Sequence, residues 1–142
     1  MEGRCLCGSV SFRLSIEDVK IYKCFCSLCQ KQSGTESNLA TIVREDDFEF
    51  LASEDSIKSW VKDTGFTSNF CGKCGSAVPN RLRGNSYFWI PVGLLNIDIA
   101  GVVVSNIYTE SKRLVSDSQE KTEFGEFPCG GTSAHIENIC GN

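Results

Sequence analysis

Nine cysteines in 142 residues, and above all their spacing, constrain this chain more than any other feature. They fall as Cys5-x-Cys7, Cys24-x-Cys26-x-x-Cys29 and Cys71-x-x-Cys74, followed by Cys129 and Cys140. An odd number cannot pair completely into disulfides. The opening residues, MEGRCLCGSV, show no basic stretch followed by an apolar one, so no signal peptide is expected and the expected location is cytoplasmic. In a reducing compartment, grouped cysteines point to metal ligation or catalysis rather than to a disulfide framework.

The segment Phe70-Cys71-Gly72-Lys73-Cys74-Gly75 has the form of a zinc-knuckle turn. The chain folds back so that two thiolates reach one ion, and small residues such as Gly72 and Gly75 let backbone N–H groups approach the sulfurs. This turn supplies two ligands and needs two more. Cys5 and Cys7 are the one good two-ligand donor, so Cys5, Cys7, Cys71 and Cys74 form the expected closed site. Structural zinc contributes about 10–16 kcal/mol of apparent binding free energy to folding, which makes this site an expected requirement of the fold. Cys24, Cys26 and Cys29 are left as a triad with one position vacant, the pattern of a catalytic zinc. Two zinc ions are thus expected. Three thiolates on a divalent ion leave one net negative charge. Such an electron-rich centre acidifies water poorly and is better suited to holding a soft thiolate nucleophile. Two other partitions stay open. Cys129 or Cys140 could close the triad as a fourth ligand, or the triad could share an ion with Cys71 and Cys74. Neither spacing typical of ferredoxins is present.

With 41% hydrophobic and 23% charged residues, the chain reads as one globular zinc-binding domain over residues 1–142. The formal net charge of −4 argues against a nucleic-acid partner, and Arg81 and Arg83 are the nearest thing to a basic pair. No apolar run is long enough to span a membrane. His135, the single histidine, falls in a Glu-, Ser- and Gly-rich tail over about 116–142 that reads as irregular.

Hydrophobic periodicity predicts a mostly β fold. Val10, Phe12, Leu14 and Ile16 alternate with Ser11, Arg13 and Ser15, the period of a half-buried strand. Further β segments are expected at 39–44, 47–51, 56–61, 66–71, 76–82, 86–95 and 102–109, with a turn at Glu45 and Asp46 and Phe48 and Phe50 sharing one face. SLCQKQS, residues 27–33, is expected to form a helical turn.

Three stretches carry a family resemblance: Gly3-Arg4-Cys5-Leu6-Cys7-Gly8-Ser9-Val10, Cys24-Phe25-Cys26-Ser27-Leu28-Cys29-Gln30-Lys31-Gln32-Ser33-Gly34, and Phe70-Cys71-Gly72-Lys73-Cys74-Gly75-Ser76. In order and spacing they resemble the signatures of the glutathione-dependent formaldehyde-activating enzyme family, which includes centromere protein V-like proteins. The likeness covers about residues 3–95, including Val92-Gly93-Leu94-Leu95 after an aromatic strand. It implies a β-tent type fold of short antiparallel strands organised around zinc. It implies a structural zinc at Cys5, Cys7, Cys71 and Cys74 and a catalytic zinc at Cys24, Cys26 and Cys29. It also implies a carbon–sulfur lyase of the S-(hydroxymethyl)glutathione synthase type, with glutathione and formaldehyde or another small aldehyde as partners. The family's middle signature is usually Cys-His-Cys, whereas Phe25 stands between Cys24 and Cys26 here.

On that reading the thiol is held at the triad and its sulfur attacks the carbonyl carbon. Lys31, two residues past the last ligand, is the candidate cation for a glutathione carboxylate or the nascent alkoxide. Tyr87, Phe88 and Trp89 are expected to divide between a pocket wall and the core. Two rival functions carry different marks: a zinc-binding module for a protein partner would show a basic or apolar surface patch, and a thiol redox or metal-buffering protein would release zinc reversibly on oxidation.

Overall fold

A computed structural model describes residues 1–52, 54–96 and 102–113. The expectations for His135, Cys129, Cys140 and the irregular tail lie outside the described residues. In chain order the elements are β1 (Glu2–Arg4), β2 (Ser11–Leu14), β3 (Lys20–Cys24), α1 (Ser27–Ser33), β4 (Asn38–Arg44), β5 (Phe48–Ala52), β6 (Ile57–Val61), β7 (Thr67–Cys71), β8 (Asn80–Arg81), β9 (Tyr87–Pro91) and β10 (Val102–Ile107). They form a three-stranded sheet β1-β2-β5, a five-stranded sheet β10-β3-β4-β9-β8 and the β6-β7 ribbon. The architecture is mostly β with short strands. Its pairs are antiparallel except β3 with β10, which run parallel with a register shift between Val103 and Ser105.

The alternation in β2 does what its period requires. Val10, Phe12 and Leu14 are buried while Arg13 is exposed and pairs with Glu2. In β5, Phe48 and Phe50 share the inward face and Glu49 and Leu51 the outward one. Phe48 lies at the centre of an aromatic group. Its ring stacks on Phe88 at 4.1 Å and on Phe12 at 5.8 Å, and meets Phe50 edge-on at 4.7 Å. Phe88 belongs to β9 and the others to β2 and β5, so this group clamps the two larger sheets together. Phe12, Leu14, Val19, Ile21, Val43, Ile90 and Leu95 form the main core. A second cluster joins Cys5, Val10, Cys71 and Val78.

Two of the expected strands are shorter than their patterns suggest. The 86–95 segment stops at Pro91 and turns through a 3-10 stretch at Val92–Leu94, after which Leu95 bridges to Gly3. The 76–82 segment keeps only a Phe70–Ala77 bridge and the two residues of β8. Between them lies Pro79, which has no N–H to give to a ladder. β1 and β3 were not foreseen. β1 is short and polar, and is held at its sheet edge by the terminal amine of Met1 donating to the Leu14 carbonyl at 2.7 Å. Around β3 the apolar signal is only Val19, just before it, and Ile21 within it, both buried beside the exposed Lys20.

Gly3 has no room for a side chain. An added Cβ would strike the buried Phe12 ring and lie 2.9 Å from the Leu94 carbonyl oxygen. Gly3→Ala is therefore expected to cost about 1–3 kcal/mol of stability through overpacking. A urea midpoint unchanged from that of the parent protein would refute this.

Candidate metal centres

The first centre is built by two turns. The turn from β1 to β2 carries Cys5 and Cys7, and its Cys5 N–H donates to the Val10 carbonyl at 2.9 Å. The knuckle after β7 carries Cys71 and Cys74, closed by the Gly75 N–H donating to the Cys71 carbonyl at 2.8 Å. Gly75 sits at a φ of 76°, a conformation that an L side chain resists. The bridge between the turns is the Leu6 N–H donating to Ser76 Oγ at 3.1 Å. All four sulfurs lie within 4.8 Å of one another. Cys5 to Cys7 is 3.6 Å and Cys7 to Cys71 is 3.7 Å, too long for a disulfide bond. A tetrahedron with metal–sulfur bonds of about 2.3 Å has edges of about 3.8 Å, so the set fits a thiophilic ion such as zinc. Burial pushes the Cys5 thiol up. The Ser9 side chain and N–H lower Cys7, and Ser76 lowers Cys74 to about 5.

The second centre sits where β3 runs into α1. Cys24 is the last residue of β3, Cys26 caps α1, and Cys29 lies in its first turn. The Cys29 N–H donates to Cys26 Sγ at 3.4 Å. The three sulfurs lie within 4.8 Å of one another, and the triad could hold a metal ion. Burial pushes Cys29 and Cys24 up. Burial also acts upward on Cys26, but N–H groups of Cys29 and Leu28 and the neighbouring thiols outweigh it and leave Cys26 below its ordinary value. A divalent cation at the triad would favour the thiolate forms that burial disfavours, and soft sulfur donors suit zinc. Among the described residues no fourth Cys, His, Asp or Glu joins the triad.

The two centres differ in their surroundings. The four-cysteine set is half core, with Cys5 and Cys71 fully buried, Cys74 half-buried and Cys7 exposed. The triad opens on a cleft of about 620 Å³. Tyr22 and Trp89 line this cleft from the large sheet; Gly65, Phe66 and Thr67 from the β6-β7 ribbon; Arg81, Leu82 and Arg83 from β8 and its turn; and Tyr108 and Ser111 from beyond β10. Burial, then the nearby Cys29 and Cys24, push the Tyr22 phenol up to about 12, with a hydrogen bond to Trp89 acting the other way. Of the aromatic trio, Trp89 is cleft wall, Phe88 is core and Tyr87 is exposed.

Lys31 is exposed on α1 and is not among the residues that line the cleft; the cations there are Arg81 and Arg83. Sequence spacing could not have put that pair beside a triad more than fifty positions away; only the pairing of β8 with β9 and β9 with β4 does so. Phe25 is buried and also stands outside the cleft lining, with Lys112 Nζ 5.4 Å from its ring centre. Gln30 was not foreseen either. It is the buried residue of α1, and its Nε2 donates to the Phe25 carbonyl at 2.7 Å and the Ser111 carbonyl at 3.0 Å. Its Oε1 accepts from Arg113 Nε at 2.9 Å. The strap 108–113 is thereby tied to the triad's helix. It begins at Tyr108, whose φ of 56° is rare for an aromatic residue.

Fold and donor sets together define a small cysteine-rich β protein with two candidate metal centres. The chain belongs to the glutathione-dependent formaldehyde-activating enzyme family, whose model matches residues 1–111. The matched region thus extends past the quoted signatures to β10 and most of the strap. The chain also resembles the crystal structure of a Rhodobacter sphaeroides protein, with 21% identity, a TM-score of 0.60, and coverage of 75% of this chain and 99% of that one. At that identity the likeness is one of fold. No curated protein matches the chain. No helix among the described residues is long and apolar enough to cross a membrane.

Gln30→Ala leaves the Phe25 carbonyl and Arg113 without their partner. It should cost about 1–3 kcal/mol and speed amide exchange at residues 109–113 while metal content stays unchanged. Exchange as slow as in the parent protein would show that the strap is held by other contacts.

Proposed function

We propose that the protein is a zinc enzyme that joins the sulfur of glutathione to formaldehyde or another small aldehyde, a carbon–sulfur lyase in the reverse sense. One observation carries the reading: of two thiol sets, one brings four sulfurs together as a complete donor shell, while the other has three and opens on a ligand-sized cleft. Cys5, Cys7, Cys71 and Cys74 would hold the structural ion, and Cys24, Cys26 and Cys29 the catalytic one. At the triad a bound zinc ion supplies a Lewis-acid site that favours the thiolate form of a substrate thiol near neutral pH.

The reaction joins a thiol and an aldehyde. The carbon–sulfur bond forms, the carbonyl π pair moves to oxygen, and the proton lost by sulfur is made good at that oxygen. The cleft holds the two reactants together, which replaces a chance encounter in water. Trp89 and Phe66 give it apolar walls. The Tyr22 hydroxyl, hydrogen-bonded to Trp89, is the donor available to the developing oxyanion. Family membership supports glutathione and formaldehyde as partners.

Metal analysis and proton exchange spectroscopy of glutathione with formaldehyde test the reading. The parent protein should hold two zinc ions and accelerate S-hydroxymethylglutathione formation. Cys29→Ser should lose one ion and the acceleration yet remain folded, whereas Cys71→Ser should lose the fold, because a closed thiolate site contributes directly to folding. Two equally chelator-resistant ions and no acceleration would replace this reading with that of a binding module. Tyr22→Phe should lower the turnover rate by about 10²-fold or more with metal content intact; an unchanged rate would remove Tyr22 from the mechanism.

A further inference from the structure

We propose that Arg83 is the carboxylate-binding residue of the cleft, taking a carboxylate of the thiol whose sulfur lies at Cys24, Cys26 and Cys29. This inference rests on the thiol reading above and adds the recognition group that reading lacks.

The cleft is electrically unlike the rest of the molecule. The chain carries a formal net charge of −4, yet among the described residues no Asp or Glu lines the cleft and two arginines do. The two arginines are not equivalent. Arg81 is already engaged: its Nη2 lies 2.6 Å from Glu45 Oε2 and its Nε donates to the Asn85 carbonyl at 3.2 Å. Among the described residues no carboxylate pairs with Arg83. Its side chain lies along the β6-β7 turn, where a Cβ added at Gly65 would sit 2.5 Å from Nη1 and 3.5 Å from both Cδ and Cζ. Gly65, at a φ of 90°, is the residue type that permits this approach. The Arg83 side chain is exposed, has no carboxylate partner among the described residues, and is seated against the Gly65 turn on the wall of the cavity that holds the triad.

A guanidinium in that state recognises a planar anion by paired, charge-assisted hydrogen bonds. The volume of about 620 Å³ matches the ordinary size of small-molecule sites. A ligand with sulfur for the triad and a carboxylate for Arg83 is a thiol-bearing peptide or amino acid. Glutathione, with two carboxylates, meets the description; a neutral thiol does not. Lys31, exposed and outside the cleft lining, lacks this position.

The test is calorimetric titration of the zinc-loaded protein with glutathione and, separately, with glutathione diethyl ester, whose carboxylates are masked. The parent protein should bind glutathione about 10- to 100-fold more tightly than the ester, the range of hydrogen bonds to charged groups. Arg83→Gln should erase most of that preference with zinc content unchanged, Arg83→Lys should restore part of it, and Lys31→Gln should keep it whole. A preference that survives in Arg83→Gln, vanishes in Lys31→Gln, or is absent from the parent protein overturns the assignment. The exchange experiment, run on the same preparations, separates this from the enzymatic reading. Acceleration without any dependence of binding on Arg83 sinks the assignment alone. Carboxylate preference through Arg83 without acceleration sinks the enzymatic reading and leaves the binding site.

Discussion

The meeting of four cysteine sulfurs at the rim of the second core cluster is the constraint on which the rest depends. Cys5 and Cys71 are shielded from water, and Cys7 and Cys74 complete a set in which the Cys5–Cys7 and Cys7–Cys71 separations match the edges of a tetrahedral donor shell. Four thiolates so close would repel one another, a repulsion that a metal ion between them would offset. The β6-β7 ribbon shows why this matters. A two-stranded hairpin is marginal in water by itself. Its anchors are the Cys71 end, which enters the buried cluster with Val10 and Val78, and the Phe70–Ala77 bridge. The far end of the same hairpin gives Gly65, Phe66 and Thr67 to the cleft. The closed centre therefore positions one wall of the open one.

The open centre is assembled from the other direction, out of the large sheet. β3 ends on Cys24, and its parallel neighbour β10 ends beside it, with Ile107 opposite Cys24 and the Phe25 N–H donating to the Ile107 carbonyl at 3.1 Å. The chain then reverses through Tyr108 and is caught by Gln30. A helix of two turns has little stability of its own. Here both ends are fixed: Cys26 accepts the Cys29 N–H at one, and Gly34 returns its N–H to Gln30 at the other. The side chains that shape the triad are thus held by short-range hydrogen bonds at the end of an inner strand, while the walls opposite come from distant parts of the chain.

This division explains what the sequence disclosed. Ligand sets follow from local spacing, and the two groupings separate in space as Cys5, Cys7, Cys71, Cys74 and Cys24, Cys26, Cys29. Strands with clean alternation, such as β2 and β5, were legible because one face is core and the other water. β3 was not, because its apolar signal is two residues long, and the 86–95 segment reads as one strand although Pro91 and the turn at Val92–Leu94 break it. The cleft was the least legible part. Arg83 and Tyr22 carry no spacing signal that relates them to the triad. Gln30 looks like any polar helix residue until the strap that consumes its hydrogen bonds is in place.

The same geometry bears on Phe25. A histidine between the first two triad cysteines would invite a role as base or substrate ligand, and its replacement would then remove a working group. The position does not support that role in this chain. The Phe25 side chain is buried outside the cleft lining, and the ammonium of Lys112 lies over its ring. An imidazole in that place would be desolvated beside a cation, and both effects disfavour its protonated form. A phenyl ring avoids this conflict and gains a cation–π contact. The carbonyl of the same residue accepts from Gln30, so position 25 serves the junction of triad, helix and strap through its backbone whichever ring it bears. The chemical character of the cleft is set instead by Tyr22, Trp89 and the two arginines, which the change from histidine to phenylalanine leaves in place.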